Sequence, residues 1–299
     1  MSLPAHAEPV QPVALITGAS SGIGEATAGL LAANGFRVFG TSRTPDRASD
    51  HSSETHHGRS YTLLPLDVRS DASVQAAVQR VLDEAGRIDL LVNNAGYTQT
   101  GAVEENSLAD AQAQFDTNVF GVLRATNAVL PTMRRQRSGR IVNVSSVVGH
   151  VAPPYLGLYA GSKFALEGLS EALRGELRPF GIHVSLVEPG FVKTNIVGER
   201  PAHPVTDYDA GRQAALAFMR QGVERGMAPG AVAQTILRIA TTGQPRLRYR
   251  IGRTSHALIT LKRLLPERAF EQVRRRAFRA ENLARQAYPH PRQPQPAQT

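Results

Sequence analysis

Val13-Ala14-Leu15-Ile16-Thr17-Gly18-Ala19-Ser20-Ser21-Gly22-Ile23-Gly24-Glu25-Ala26-Thr27-Ala28 decides the fold. The four leading apolar residues read as a short strand buried on both faces. The helix-forming run that begins near Gly22 reads as the start of a helix. Between them, Gly18, Gly22 and Gly24 let the backbone turn sharply and approach a ligand without interference from a Cβ atom. The free N–H groups and positive dipole at a helix start can hold a pyrophosphate. The spacing is G-x-x-x-G-x-G rather than G-x-G-x-x-G. A turn that needs glycine for geometry alone would read the same way, so the rest of the chain has to decide.

Working outward, strand-like apolar runs recur at Arg37-Val38-Phe39-Gly40, Tyr61-Thr62-Leu63-Leu64, Ile88-Asp89-Leu90-Leu91-Val92, Ile141-Val142-Asn143-Val144 and Ile182-His183-Val184-Ser185-Leu186-Val187. Helix-length segments separate most of them: 22–34, 71–85, 108–135 and 159–178. Strand and helix in alternation predict an α/β fold, a doubly wound parallel sheet of the Rossmann kind with helices on both faces. A further short strand is expected at 248–251, which makes about seven strands in a single domain over residues 12–280. No internal repeat or dividing linker is present. Residues 1–11, 44–60 and 287–299 read as loose, and 1–11 and a basic, Pro-rich 281–299 are expected to be disordered. His51, His56 and His57 fall in such a stretch, without acidic partners at ligand spacing. A polar loop is the reading there, and no metal site is expected anywhere.

Composition excludes several functions. The chain has 299 residues, 41% hydrophobic, enough to bury a substantial core. No apolar run approaches the roughly 18 residues that a spanning helix needs, and residues 1–12 do not resemble a secretory leader. Cysteine is absent, which rules out disulfides, thiolate metal sites and cysteine nucleophiles. A reducing, cytoplasmic location is the expectation. The net charge of +9 is uneven: residues 246–299 hold 13 Arg/Lys against 3 Asp/Glu, and the remaining 245 residues hold 21 against 22.

Two further signals carry chemistry. After the second strand comes Thr41-Ser42-Arg43, and the first acid downstream is Asp46. An acidic residue here would accept from the ribose 2′-hydroxyl of NAD, whereas a guanidinium suits a 2′-phosphate. The sequence therefore favours NADP(H) over NAD(H). Tyr159 and Lys163 stand four residues apart, on one face of a helix, thirteen and seventeen residues after Ser146 at the end of a strand. A phenol, with an ordinary pKa of about 10, becomes a usable acid/base when a neighbouring ammonium favours its ionised form.

With these pieces in order, residues 12–200 resemble the short-chain dehydrogenase/reductase family, most closely its hydroxysteroid and retinol dehydrogenase-like branch. The resemblance rests on Thr17–Gly24, Asp67-Val68, Asn93-Asn94-Ala95-Gly96, Asn118, Ser146, Tyr159, Lys163, Pro189-Gly190 and Thr194. Gly161 stands where the family more often has alanine. The resemblance implies Asn118, Ser146, Tyr159 and Lys163 as the catalytic set. Tyr159 would exchange a proton with the substrate oxygen, and Ser146 would hold that oxygen. Lys163 would lower the phenol's pKa and bind the nicotinamide ribose, while Asn118 would order a water. Cofactor contacts are implied for Gly18, Ser20, Ser21, Gly22, Ile23, Gly24, Arg43, Asp67, Val68, Asn94, Ala95, Gly96, Tyr159, Lys163, Pro189, Gly190, Val192 and Thr194. A homodimer or homotetramer built on the helices at 108–135 and 159–178 is also implied.

Substrate choice is expected in a lid segment, 195–228. Phe191 just upstream, with Val197, Tyr208, Phe218 and Met219 within it, suggests a hydrophobic ketone, aldehyde or alcohol of steroid, retinoid or lipid type. Residues 258–279 read as a basic amphipathic helix. It could cover the protein's own core, a partner, or, as the less favoured alternative, an anionic membrane. A nucleic-acid partner is not expected, because aromatics are sparse among the arginines. The competing function is an NAD(P)-binding redox sensor without turnover, against which the complete Asn118, Ser146, Tyr159 and Lys163 set argues.

Overall fold

The computed structural model describes residues 11–44, 61–194 and 198–278. Most of 44–60 with its three histidines, Val197, and the segments 1–10 and 279–299 lie outside these, with the expectations made for them. Seven parallel strands form one sheet in the order β3-β2-β1-β4-β5-β6-β7. They are β1 (Val13–Ile16), β2 (Arg37–Ser42), β3 (Thr62–Pro65), β4 (Leu90–Asn93), β5 (Gly139–Val144), β6 (Ile182–Pro189) and β7 (Arg248–Ile251). Neighbouring residues of a strand point to opposite faces, so each strand feeds two cores. Val13, Leu15, Phe39, Leu91, Ile141 and Val184 face one layer, with Val74, Val78 and Val129. Ala14, Ile16, Val38, Val92, Val142 and Val187 face the other, with Leu31, Val232 and Ile236. Burial on both faces is why the strands read as continuous apolar runs.

The helices are α1 (Gly22–Ala33), α2 (Asp71–Ala85), α3 (Leu108–Phe115), α4 (Gly121–Gln136), α5 (Gly157–Leu177), α6 (Asp209–Glu224), α7 (Pro229–Thr241), α8 (Arg253–Leu264) and α9 (Glu267–Phe278). Two expected long helices are interrupted. The 108–135 segment contains a π-helical turn at Asp116–Phe120 between α3 and α4. Such turns insert an extra residue into the helical ladder and gather at functional sites. The 258–279 segment is two helices rather than one, broken at Leu265-Pro266. Proline disfavours helical backbone in the residue before it, and Leu265 is accordingly extended (φ −91°, ψ 142°).

The strand order reverses direction between β1 and β4. In open α/β sheets a crevice opens at such a point, beyond the carboxyl ends of the strands.

Candidate active site

At that crevice the chain lines a cleft of about 1040 Å³. One end is the glycine turn. Gly18 has φ +67°, a backbone that only glycine adopts cheaply, and a Cβ there would lie 2.9 Å from Ala95 Cα. A Cβ on Gly24 would stand 2.2 Å from Gly18 O and 2.6 Å from Asn94 Nδ2. The turn is thus folded against the end of β4 with no room for a side chain. Asn94 locks it: its Nδ2 donates to Thr17 O at 3.0 Å and Gly18 O at 2.8 Å. Thr17 Oγ1 accepts from the backbone N of Asn94 at 3.0 Å and of Ala95 at 3.1 Å. Ser21, the N-cap of α1, makes no side-chain capping bond. The first-turn N–H groups, orphaned in any helix, are left to a ligand or solvent at the cleft wall formed by Gly22 and Ile23.

Ser20 and Ser21 line the cleft beside that turn, and the exposed Arg43 lines it beyond the end of β2. Asp67 and Val68 line it after β3. The Asp67 carboxylate is clasped by Arg69, whose Nη2 donates to Oδ2 at 2.7 Å. That bond, with the further charge of Arg43, holds the carboxyl below its ordinary range. Asn94, Ala95, Gly96, Pro189, Gly190, Val192 and Thr194 complete the wall.

The middle of the cleft holds Ser146, Tyr159 and Lys163. Ser146 ends the extended chain after β5, and its Oγ accepts from Val148 N at 3.3 Å. Tyr159 and Lys163 come from successive turns of α5. The Tyr159 hydroxyl shares hydrogen bonds with the Ser146 and Thr98 hydroxyls. Burial pushes the phenol's pKa up, and those two bonds pull against it. The acidified phenol expected from the Y-x-x-x-K pair is therefore not the balance struck here. The Lys163 ammonium donates to Val144 O at 2.8 Å and lies 5.8 Å from the centre of the tyrosine ring. Burial also lowers Lys163 to about 8, with the charge of Glu167 opposing.

Two predicted site residues do not line the cleft. Gly24 lies behind the turn. Asn118, 1% exposed, sits in the π-turn, and its side chain is spent on scaffold. Oδ1 accepts from Tyr97 N at 3.1 Å; Nδ2 donates to Tyr97 O at 3.1 Å and to Ser162 Oγ at 3.2 Å. It ties the chain after Gly96 to α5, one residue from Lys163.

The far end of the cleft is apolar, formed by Phe191, α6 (Ala215, Phe218, Met219, Val223) and α8 (Ala257, Leu258). Phe191 and Phe218 meet edge to face with centroids 5.6 Å apart. Arg212 holds the start of α6 through the buried carboxylate of Glu105. Tyr208, expected over the cleft, packs on Tyr155 instead and donates to Glu104 Oε2 at 2.7 Å. Sequence reasoning missed Thr98, 2% exposed and bonded to the phenol. Its signal was a lone hydroxyl two residues past Asn93–Gly96. The α8 residues carried no signal that separates pocket wall from core.

Beneath Lys163, His150, Glu167 and Glu188 bring one nitrogen and two carboxylates within 4.8 Å of one another. Arg248 Nε lies 2.9 Å from Glu167 Oε2 and 3.5 Å from Glu188 Oε1, and Arg250 Nε lies 3.6 Å from Glu188 Oε2. Guanidinium charge answers the carboxylates that a metal would need, so the cluster reads as an ion-pair network joining β7 to α5 and β6. Burial nevertheless pushes the Glu167 carboxyl up.

A glycine-braced helix start at one end of a cleft, with a serine–tyrosine–lysine set at its centre, is the arrangement that the motifs implied. The family model described as short chain dehydrogenase matches residues 12–204. The chain belongs to that family. It is 39% identical over 248 residues to the 3-ketodihydrosphingosine reductase of Bacteroides thetaiotaomicron, covering 81% of this chain and 89% of that protein. It is also 39% identical over 269 residues to bovine (Bos taurus) retinol dehydrogenase 8, covering 84% and 85%. Among solved structures, a short-chain dehydrogenase/reductase from Burkholderia phymatum in complex with NAD superposes with a TM-score of 0.76 at 31% identity, covering 86% of this chain and 95% of that one.

Proposed function

We propose that the protein is an NADP(H)-dependent oxidoreductase that interconverts a carbonyl and a secondary alcohol on a hydrophobic substrate of steroid, retinoid or lipid type. The observation that carries this reading is the continuity of the cleft. One wall runs from a glycine-braced helix start, past a phenol bonded to a serine, to an apolar chamber. The residues present fit a nicotinamide dinucleotide: a side chain at Gly18 or Gly24 would collide with backbone, and the first turn of α1 has no capping side chain to compete for a pyrophosphate. When bound, that cofactor supplies or accepts the hydride.

The chain's own residues do the rest. Ser146 donates to the substrate oxygen and polarises it. Tyr159 gives its proton to that oxygen during reduction and takes it back during oxidation. A phenol raised by burial stays protonated at neutral pH, as an acid for reduction must. Lys163 places positive charge beside the ring, which stabilises the phenolate once the proton has left, and it holds the ribose. Asn118 acts as a positioning residue, fixing the chain after Gly96 against α5. Arg43 reads the 2′-phosphate that distinguishes NADP from NAD. Phe191, Phe218 and Met219 choose the substrate by excluding water, and residues 195–228 act as the lid. Retinol and 3-ketodihydrosphingosine, named for the two relatives, are both largely apolar, which supports this class. Self-association through α4 and α5, with Phe120 at the end of the π-turn that leads into α4 and Phe164 on α5 48% and 41% exposed, would give a homodimer or homotetramer.

The test is Tyr159→Phe. Turnover of hydrophobic ketones, followed by NADPH absorbance, should fall about 10²–10⁴-fold, the usual worth of general acid–base help. NADPH binding and thermal stability should remain. Residual activity within tenfold of the parent would refute the assignment.

A further inference from the structure

One face of α8 begins inside the cleft and ends outside it. Ala257 and Leu258 line the apolar chamber. The next residues on the same helical face, by i, i+3 and i+4 spacing, are Leu261 and Leu264, which are 37% and 75% exposed. The helix packs on the body through a different face, where Ser255 and Ile259 are buried (0% and 2% exposed). Its C-terminal end is held down by Lys262, which donates to His150 O and lies 5.2 Å over the ring of the exposed Phe164. The apolar stripe is thus not the helix's packing surface; it is a ramp from the chamber to the outside.

Positive charge surrounds the ramp. Lys262, held against the body, and Arg263 follow Leu261 in sequence and flank the stripe, and α9, which packs on α8, adds the exposed Arg268, Arg276 and Arg275, the last paired with Glu271, against Glu267 and Glu271. No helix among the described residues is long and apolar enough to cross a membrane. Exposed leucines set among arginines and a lysine are the composition of a helix that lies in the plane of an anionic bilayer. We propose that α8 docks the protein on an anionic phospholipid surface, with Leu261 and Leu264 in the interface and the cations among the headgroups. In that pose the apolar end of the cleft opens beside the bilayer.

Charge complementarity selects this occupant over the others. Each cation near such a surface contributes about fivefold in affinity, and the leucines add apolar burial that a phosphate backbone cannot reward. A nucleic-acid surface would call for stacking aromatics at these positions. A second copy placed symmetrically on the same patch would bring two sets of cations together, which opposes association.

Full-length protein sedimented with vesicles of phosphatidylcholine plus phosphatidylglycerol, against phosphatidylcholine alone, tests the proposal without reference to turnover. Retention is expected on the anionic vesicles only, weakening as salt rises. The Leu261→Ser/Leu264→Ser variant should bind them at least about tenfold more weakly, from the lost burial of two leucines. Its melting temperature should stay within a degree or two of the parent's, because both positions are exposed. The proposal is overturned by no retention on anionic vesicles, by retention unchanged in the double variant, or by binding of duplex DNA as tight as vesicle binding and equally indifferent to the leucines. A variant that turns a dimer into a monomer while leaving vesicle retention intact would give the stripe to a second copy, and overturns it too.

Discussion

The two ends of the cleft are built from different materials. The glycine-turn end is made of backbone and short polar groups: Gly18 and Gly24 fit because they lack a Cβ, and Thr17 and Asn94 close the turn with bonds of 2.8–3.1 Å. The far end is made of side chains, Phe191, Phe218, Met219 and Leu258, carried on α6, α8 and the chain between β6 and α6. A backbone-built surface tolerates few residue types at each position. A side-chain wall accepts any apolar group of suitable volume. The difference predicts that substitutions at the first end act on folding and cofactor binding together, and that those at the second act on substrate alone.

The most damaging test of that contrast is Gly24→Ala. The added methyl would stand 2.2 Å from Gly18 O, and backbone cannot swing aside as a side-chain end can. The expected cost is about 3 kcal/mol of stability, near the top of the overpacking range. NADPH affinity should fall with it, measured by thermal melts and by quenching or energy transfer on binding. A variant with unchanged melting and unchanged affinity would show that the turn is more pliable than its contacts imply. Arg43→Asp comes next. It removes a charge-assisted phosphate contact worth about 1.5–3 kcal/mol and offers a carboxylate to the ribose instead. The ratio of kcat/KM with NADPH to that with NADH should fall by about tenfold or more, with melting unchanged. An unmoved ratio would take the phosphate from Arg43.

At the other end, Phe218→Ala should raise KM for a bulky apolar ketone about fivefold, roughly 1 kcal/mol of lost contact. Phe218 is already 38% exposed, so melting should barely move. Phe218→Leu should restore most of the affinity, because volume and not identity is what that wall needs. If alanine at this position instead lowered stability as strongly as Gly24→Ala, the division between the two ends would fail.

The same division explains what could be read from the chain. The central strands were legible because burial on both faces demands continuous apolar runs, as in the fully buried β1; the half-buried edge strand β7, Arg-Tyr-Arg-Ile, also lies at the residues expected for it. The glycine turn, Asn94, Ser146, Tyr159 and Lys163 were legible because each geometry admits few substitutes. Legibility failed where tertiary packing decides. The π-turn around Asn118 has no local signature; it is set by the bonds to Tyr97 and Ser162. Tyr208 carried the aromatic character of a lid residue, but the edge-to-face contact with Tyr155 took it away from the cleft. The break at Pro266 was visible in principle, since proline constrains the residue before it, yet the basic amphipathic pattern running across it hid it. Thr98 reads as any loop threonine until folding sets it against the phenol.

The subtlest comparison lies within the catalytic centre, between the Lys163 ammonium and the carboxylate one turn further along α5. Burial lowers Lys163 to about 8, and the negative charge of Glu167 opposes that fall. Reduction calls for the ammonium, so the rate should decline as pH rises through the region where Lys163 loses its proton. Removing the opposing charge in Glu167→Gln lets burial act unchecked. The lysine then deprotonates at lower pH, and the basic limb of the kcat profile should move to lower pH while its acidic side stays in place. Glu167 also receives Arg248 Nε at 2.9 Å, so a loss of stability alone could depress the rate. That would lower the whole profile without displacing its limb. Arg248→Gln provides the control: it breaks the same ion pair but leaves the carboxylate beside the lysine, and its limb should not move down. A limb that moves in neither variant would mean that the charge on Lys163 is set by burial and by Val144 O alone, and one that moves equally in both would mean that the intact ion pair, not the Glu167 charge by itself, sets it.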